Sequence, residues 1–237
     1  MGDYTTLMAR DGHEFQAWLA AAPGRRARGA VLVLQEIFGV NAHVRGVADG
    51  FAAEGYTTIA PCLFDRIRRG IELGYDAASL EEGRGYVAQL APERTLLDIA
   101  AALAVTRHSG RAAAVGYCWG GTLALRAAAR LPLACAVVYY GRLPADLDPL
   151  PRCPLMFHYG DEDRSIPPAD VARVRDAFPQ ADIHTYAGAG HGFNCEQRAA
   201  WDPAAAALAR SRTLGFIAHH LTGAAAGAPA APGALAS

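Results

Sequence analysis

The sequence predicts an α/β fold in which a single mostly parallel sheet carries helices on both faces, with no large cap domain. Three observations predict it. Short apolar runs alternate with segments of helical period along most of the chain, the pattern of strands joined by crossover helices. The run AVLVLQ, from Ala30, is apolar without alternation, as a strand buried on both faces requires. The 237 residues, 52% hydrophobic and 19% charged, suffice for one domain with a full core but not comfortably for two.

Taken in order, residues 5–10 and 14–20 flank Asp11-Gly12, a hairpin signal. After the strand over 30–35, Asn41 is placed to cap a helix whose Val44, Val47, Ala48 and Phe51 recur at helical spacing, and Gly55 stops it. Thr57–Ala60 reads as the next strand. Residues 61–79 lack clear periodicity and read as an excursion over the surface. Two helical segments follow, divided at Pro92, the second carrying Leu96, Leu97, Ile99, Ala100 and Leu103. Then come a strand at 112–115, a helix at 119–130, strands at 134–139 and 154–159, a helix at 168–178, a strand at 182–186 and a helix at 203–220. From Gly223 onward the chain is Ala, Gly and Pro, too poor in apolar bulk to order itself, so disorder is expected there. The domain reading is therefore residues 1–221, with a tail over 222–237.

The formal net charge of -1 leaves no basic excess to neutralise phosphates, which argues against nucleic acid as a partner. No stretch reaches the ~18 apolar residues of a membrane span, and the N-terminus lacks the basic-then-apolar pattern of a secretory signal. The five cysteines are odd in number, scattered, and form no CxxC, which argues against a disulfide framework or a zinc knuckle and for reduced thiols in the cytoplasm. A monomer or small homo-oligomer acting on a small molecule fits this balance.

The most specific feature is Gly116-Tyr117-Cys118-Trp119-Gly120-Gly121, between a strand and a helix. It matches the G-x-S-x-G nucleophile elbow with cysteine in place of serine. A sharp turn there needs flanking positions nearly free of side chain, and Gly116 and Gly120 supply them. At a helix N-terminus the thiolate is favoured, and the Trp119 N–H is placed to donate to an oxyanion. The other reading of the pattern is a buried, inert cysteine in a tight turn.

A cysteine nucleophile needs a base and a group to orient it, in the chain order nucleophile, acid, histidine. Both follow at strand ends: Asp161 or Asp163 after 154–159, and His191, between two glycines, after 182–186. Spacing does not decide between the two aspartates. Glu36 and Ile37 follow the strand that begins at Ala30; Ile37 is placed to give the second oxyanion N–H, and Glu36 reads either as a carboxylate at the edge of the site or as a surface carboxylate at a strand end. His158, inside an apolar strand, reads as a hydrogen-bonded core histidine, and His219-His220 as positive charge suited to a helix C-terminus.

Together QEIFGVN, GYCWGG, VVYYG, GDEDRSIP and GAGHGFN strongly resemble the dienelactone hydrolase (carboxymethylenebutenolidase) family, over about residues 10 to 221. The resemblance implies a single-domain α/β-hydrolase fold without a cofactor. It implies a Cys–His–Asp triad that falls on Cys118, His191 and Asp163, with Glu36 as the glutamate that keeps the resting thiol protonated and helps deprotonate it when substrate arrives. Tyr86 and Tyr140 are expected along the pocket by similarity. One departure stands out: the position four residues after the histidine, where well-known members carry an arginine for the substrate carboxylate, is Cys195 here. The family's other arginine position has no secure match, although Arg84 lies nearby; Arg198 and the run Arg66, Arg68, Arg69 are the candidates to replace the missing charge, the other and favoured reading of each being an ordinary solvated arginine.

The expected activity is hydrolysis of an ester or enol lactone through a thioester on Cys118. The alternatives are a general small-substrate carboxylesterase, a redox-sensing thiol protein on the same fold, or a non-catalytic binding module.

Overall fold

The computed structural model of the chain describes residues 1–222 apart from 23 and 25. The tail expected to be disordered lies outside the described residues.

Eight strands, β1 (Asp3–Met8), β2 (Glu14–Ala20), β3 (Ala30–Leu34), β4 (Thr57–Pro61), β5 (Ala112–Tyr117), β6 (Cys135–Tyr139), β7 (Leu155–Gly160) and β8 (Asp182–Tyr186), form one sheet in the order β1-β2-β4-β3-β5-β6-β7-β8. The six from β3 to β8 run parallel, while β2 is antiparallel to both of its neighbours. The reason lies in the connections. Asp11-Gly12 closes the β1–β2 hairpin as expected; helices join β3 to β4, β4 to β5, β5 to β6 and β7 to β8 and return the chain in the same direction, while β6 reaches its parallel neighbour β7 through the helix-free segment 140–154.

The helices are α1 (Ala42–Ala53), α2 (Ala77–Gln89), α3 (Pro92–Val105), α4 (Trp119–Arg130), α5 (Pro168–Ala177) and α6 (Pro203–Thr222). Asn41 caps α1 as its sequence predicts, its side chain accepting from the Val44 N–H at 3.3 Å. From β3 the chain steps outward through α1 to β4, then crosses back through α3 to β5. With right-handed crossovers this reversal sends α1 to one face and α3 and α4 to the other. Accordingly α3 packs on α4, and Arg210 of α6 reaches the Gly50 carbonyl and the Glu54 carboxylate beside α1. Every residue of β3, β4, β5, β6 and β7 is buried, so the middle of the sheet is the core. His158 lies there, between the Tyr186 hydroxyl at 2.8 Å and the Thr213 hydroxyl at 3.0 Å.

Residues 61–79 differ from the surface excursion that their lack of period suggests. Leu63, Phe64 and Ile71 are buried. The Leu63 N–H donates to Gln35 at 3.1 Å and the Leu73 N–H to the Phe38 carbonyl at 2.9 Å, tying the segment to the loop after β3. Asp76 then caps α2 through the Ser79 N–H at 2.8 Å, so the helix starts inside the range read as irregular. A segment organised by distant partners has no period of its own to display.

None of the described helices is long and apolar enough to cross a membrane. The order of the strands reverses between β3 and β5, and parallel sheets open a crevice at the carboxyl ends of such a pair. The residues after those two strands are Glu36-Ile37 and Cys118.

Candidate active site

Only Cys118 separates the end of β5 from the start of α4. Its backbone sits at φ 55°, ψ -116°, a conformation that costs a side-chain-bearing residue about 1–3 kcal/mol. The turn closes because its neighbours lack a Cβ: one added at Gly116 would strike the Gly120 carbonyl oxygen, and one at Gly120 the Leu34 carbonyl oxygen. The Cys118 N–H donates to the Tyr139 carbonyl at 3.0 Å, which pins the turn to β6.

His191 stands in the loop from β8 to α6. Its Nε2 is 3.1 Å from the Cys118 sulfur and its Nδ1 is 2.7 Å from Asp163 Oδ2. The other oxygen of Asp163 accepts from the Ser165 and Ile166 N–H groups at 2.7 and 3.1 Å, so this buried carboxylate is held from both sides. Asp161 does something else: its Oδ1 accepts from the Gly188 N–H at 2.7 Å and braces the loop that carries the histidine. Burial opposes the imidazolium, but the hydrogen bonds from Asp163 and Cys118 outweigh it and raise the His191 pKa to about 10. An imidazole so placed can take a proton from sulfur and keep it.

Glu36 is fully buried. Its Oε1 accepts from Arg198 Nη1 at 3.1 Å, while Oε2 has no partner among the described residues. The Arg198 guanidinium also lies 5.6 Å from the Phe38 ring and 5.9 Å from that of Tyr75, two rings that pack edge-on against each other 4.7 Å apart.

Cys118 and His191 open onto a pocket of about 540 Å³ whose lining includes Ile37, Trp119, Tyr140 and Arg198. Trp119 is the first residue of α4, so its N–H is among those the helix leaves without a carbonyl. Tyr140 presses its ring to 5.1 Å from that of His191, and its buried hydroxyl has no partner among the described residues. The far wall comes from α2, with Leu80, Arg84 and Val87. Arg84 pairs with Glu81 at 2.5 Å on the exposed side of the helix.

Tyr86 is placed differently. It does not line the pocket; its hydroxyl donates to Glu82 at 2.5 Å and its ring packs 5.4 Å from that of Phe64, which stacks on Trp119 from behind. Nor do Arg66, Arg68 and Arg69 face the pocket. Arg66 is bound to Asp11 and Asp98, and Arg69 pairs with Glu14. Two participants escaped the sequence reading. Arg142 lines the pocket and donates to the Ser165 carbonyl at 2.7 Å; its signal was its place just after the VVYYG run. Gly83 lets α2 pack against the loop that carries Ile37, since a Cβ there would strike the Ile37 carbonyl oxygen.

The model of the dienelactone hydrolase family matches residues 15–221. The chain belongs to that family. Among dienelactone hydrolase relatives, the carboxymethylenebutenolidase of Pseudomonas putida is 33% identical over 224 residues, covering 90% of this chain and 94% of that protein. The carboxymethylenebutenolidase of Pseudomonas knackmussii matches equally. Among solved structures, a Klebsiella pneumoniae chain provisionally assigned as a dienelactone hydrolase superposes with a TM-score of 0.80 at 26% identity, covering 92% of this chain and 98% of that one. An esterase from Pyrococcus furiosus, 14% identical, shares the α/β-hydrolase fold with a TM-score of 0.62 over 81% of this chain and 85% of its own.

Proposed function

We propose that this dienelactone hydrolase family member cleaves ester or lactone bonds of small substrates with Cys118 as nucleophile, His191 as base and Asp163 as orienter. One observation carries the reading: sulfur, imidazole and carboxylate form a continuous chain of 3.1 and 2.7 Å contacts at the mouth of a pocket large enough for a small molecule.

The steps follow from the placement of atoms. His191 Nε2 takes the thiol proton, and the sulfur adds to the carbonyl carbon. The Ile37 and Trp119 N–H groups hold the oxygen that becomes negative. The C–O bond then breaks and His191 returns the proton to the leaving oxygen, which in a lactone stays tethered to the acyl group. Water, deprotonated by His191, attacks the thioester and frees Cys118 as the thiol. Sulfur leaves an intermediate easily, so substrates with good leaving oxygens, such as enol lactones and activated esters, are favoured over amides. Glu36, carried on the same loop as Ile37, keeps negative charge behind the thiol and opposes its early ionisation.

Arg198, Arg142 and Arg84 place positive groups along the pocket, which suits a lactone bearing a carboxylate, and the unpartnered Tyr140 hydroxyl offers one further donor. All five cysteines are unpaired, in keeping with a reducing, cytoplasmic setting. A general carboxylesterase is the second reading, favoured by Cys195 in place of the family's arginine and by the engagement of Arg84 with Glu81.

The test compares turnover of a carboxylate-bearing enol lactone with that of a neutral aryl ester, in the wild type and in Cys118→Ala. Mass spectrometry of the quenched wild type looks for an acyl group on Cys118. Hydrolysis by Cys118→Ala at the wild-type rate would sink the proposal, and preference for the aryl ester would select the second reading.

A further inference from the structure

Behind the pocket lies a second group of reactive side chains that the proposed hydrolysis leaves mostly unused. One ring nitrogen of His43, the Cys195 sulfur and one Glu36 oxygen all lie within 4.8 Å of one another, and all three residues are buried. Two of these groups carry an unmet need. His43 Nδ1 is engaged by Glu196 at 2.9 Å, but its Nε2 is buried without a partner, and so is Glu36 Oε2. A buried polar atom left unpaired costs about 1–3 kcal/mol, and two residues that each carry one and each bring a ligand atom within 4.8 Å of the Cys195 sulfur call for an occupant.

We propose that Glu36, His43 and Cys195 form an inhibitory site for a zinc-class divalent cation. The donor set decides the class. One thiolate, one imidazole and one carboxylate match borderline ions such as Zn²⁺ and exclude calcium or magnesium, which take oxygen ligands. A tetrahedral zinc with bonds of about 2.0–2.3 Å sets its ligand atoms about 3.5 Å apart, so the three side chains close on the ion by an ångström or so. The Glu36 carboxylate, the Cys195 thiolate and the Glu196 carboxylate behind His43 supply three negative charges against the ion's two positive ones and the Arg198 guanidinium, and the thiol proton leaves for solvent on binding. The Glu196 contact to Nδ1 orients the ring as a carboxylate behind a metal-bound histidine does.

His43 and Glu196 line a separate cavity of about 450 Å³ between α1 and α6, which shares no lining residue with the pocket that holds Cys118. The consequence reaches the active site through Glu36. An ion on Oε2 leaves Oε1 to Arg198 and fixes the carboxylate in place, so it can no longer adjust as the thiol gains and loses its proton. The inhibition rests on the proposed hydrolysis at Cys118; the binding does not, and the two are read separately.

Binding is measured with Co²⁺ and Zn²⁺ on full-length Cys118→Ala, which removes the competing thiol–imidazole pair. Expected are one cobalt per chain, visible bands of tetrahedral intensity with a thiolate charge-transfer band, displacement by Zn²⁺, and a raised melting temperature. Adding Cys195→Ser should weaken binding by about 100-fold or more and abolish the charge-transfer band, and His43→Gln should weaken binding independently of the thiol. In a Cys118-containing chain, Zn²⁺ should inhibit turnover, and Cys195→Ser should keep the metal-free rate while losing that inhibition. Absence of the cobalt bands, or bands that survive Cys195→Ser, would overturn the site and leave a buried water as its occupant. Stoichiometric binding that leaves turnover untouched, or equal inhibition of Cys195→Ser, would overturn the inhibitory role.

Discussion

Arg198 Nη1 donates to Glu36 Oε1 at 3.1 Å, joining two loops that lie 162 residues apart in the chain. The carboxylate is buried, and this guanidinium is the cation paired with it. The contact ties the loop after β3, which carries Ile37, to the segment that follows His191.

Removing the cation should therefore cost stability. Loss of one partner from a buried ion pair destabilises by about 3–5 kcal/mol, and the 18% exposure of the Arg198 side chain puts Arg198→Ala near or below the lower end, at about 2–3 kcal/mol. Adding Glu36→Gln removes the stranded charge and should recover more than half of the loss. Thermal denaturation of the four proteins in a double-mutant cycle reads this directly, and simple additivity of the two losses would contradict it.

Backbone strain at Cys118 yields a second expectation. At φ 55° any residue with a Cβ is penalised, so Cys118→Gly should be more stable than Cys118→Ala by about 1 kcal/mol even after the entropy cost of glycine. Both should lack turnover. Urea denaturation of the pair is the measurement, and the reverse order of stability would show that the strain is absent.

Stability should also follow the charge of His191. Its pKa of about 10 in the fold lies above the ordinary value of 6.5, so folding favours the protonated ring. The stabilisation is fully present below about pH 6.5 and is lost as pH rises through about 10. The stability difference between wild type and His191→Gln should therefore shrink across that window. A difference that stayed constant or grew would refute the assignment.

Gly83 offers a test of the oxyanion role proposed for Ile37 from a position outside the reacting groups. In Gly83→Ala the new methyl meets the Ile37 carbonyl, so α2 or the loop has to move. Displacing one oxyanion donor lowers kcat by about 100-fold or more, and KM should change much less. Steady-state kinetics on an activated ester separates this from a loss of binding, in which KM would rise and kcat would hold.

Much of this was legible in local pattern. The apolar run from Ala30, the Asn41 cap, the break at Pro92 and the glycines around Cys118 each act through neighbours in sequence, and each appears as read. The choice between Asp161 and Asp163 was not legible from spacing. Two residues apart on one turn, they point to different partners, one to Gly188 and one to His191, and only the path of the returning loop decides which. Tyr86 was expected along the pocket from the resemblance alone, with no local signal to check it. A helix of weak apolar contrast gives little hint of its rotation, and α2 turns Leu80, Arg84 and Val87 to the pocket instead. The pairing of Glu36 with Arg198 and the meeting of His43 with Cys195 are products of tertiary closure, with no short-range signal to betray them.

The mutual fit of Gly116 and Gly120 has a practical corollary for altering substrate range. Because backbone occupies the space where their side chains would stand, neither glycine can be exchanged, and Trp119 and Thr122 are the side chains that this turn offers to the pocket. Wider diversity comes from across the cavity, where the solvent-facing helix α2 presents Leu80, Arg84 and Val87 from a scaffold that tolerates exchange. Libraries confined to those three positions would change what enters while leaving the machinery that reacts untouched.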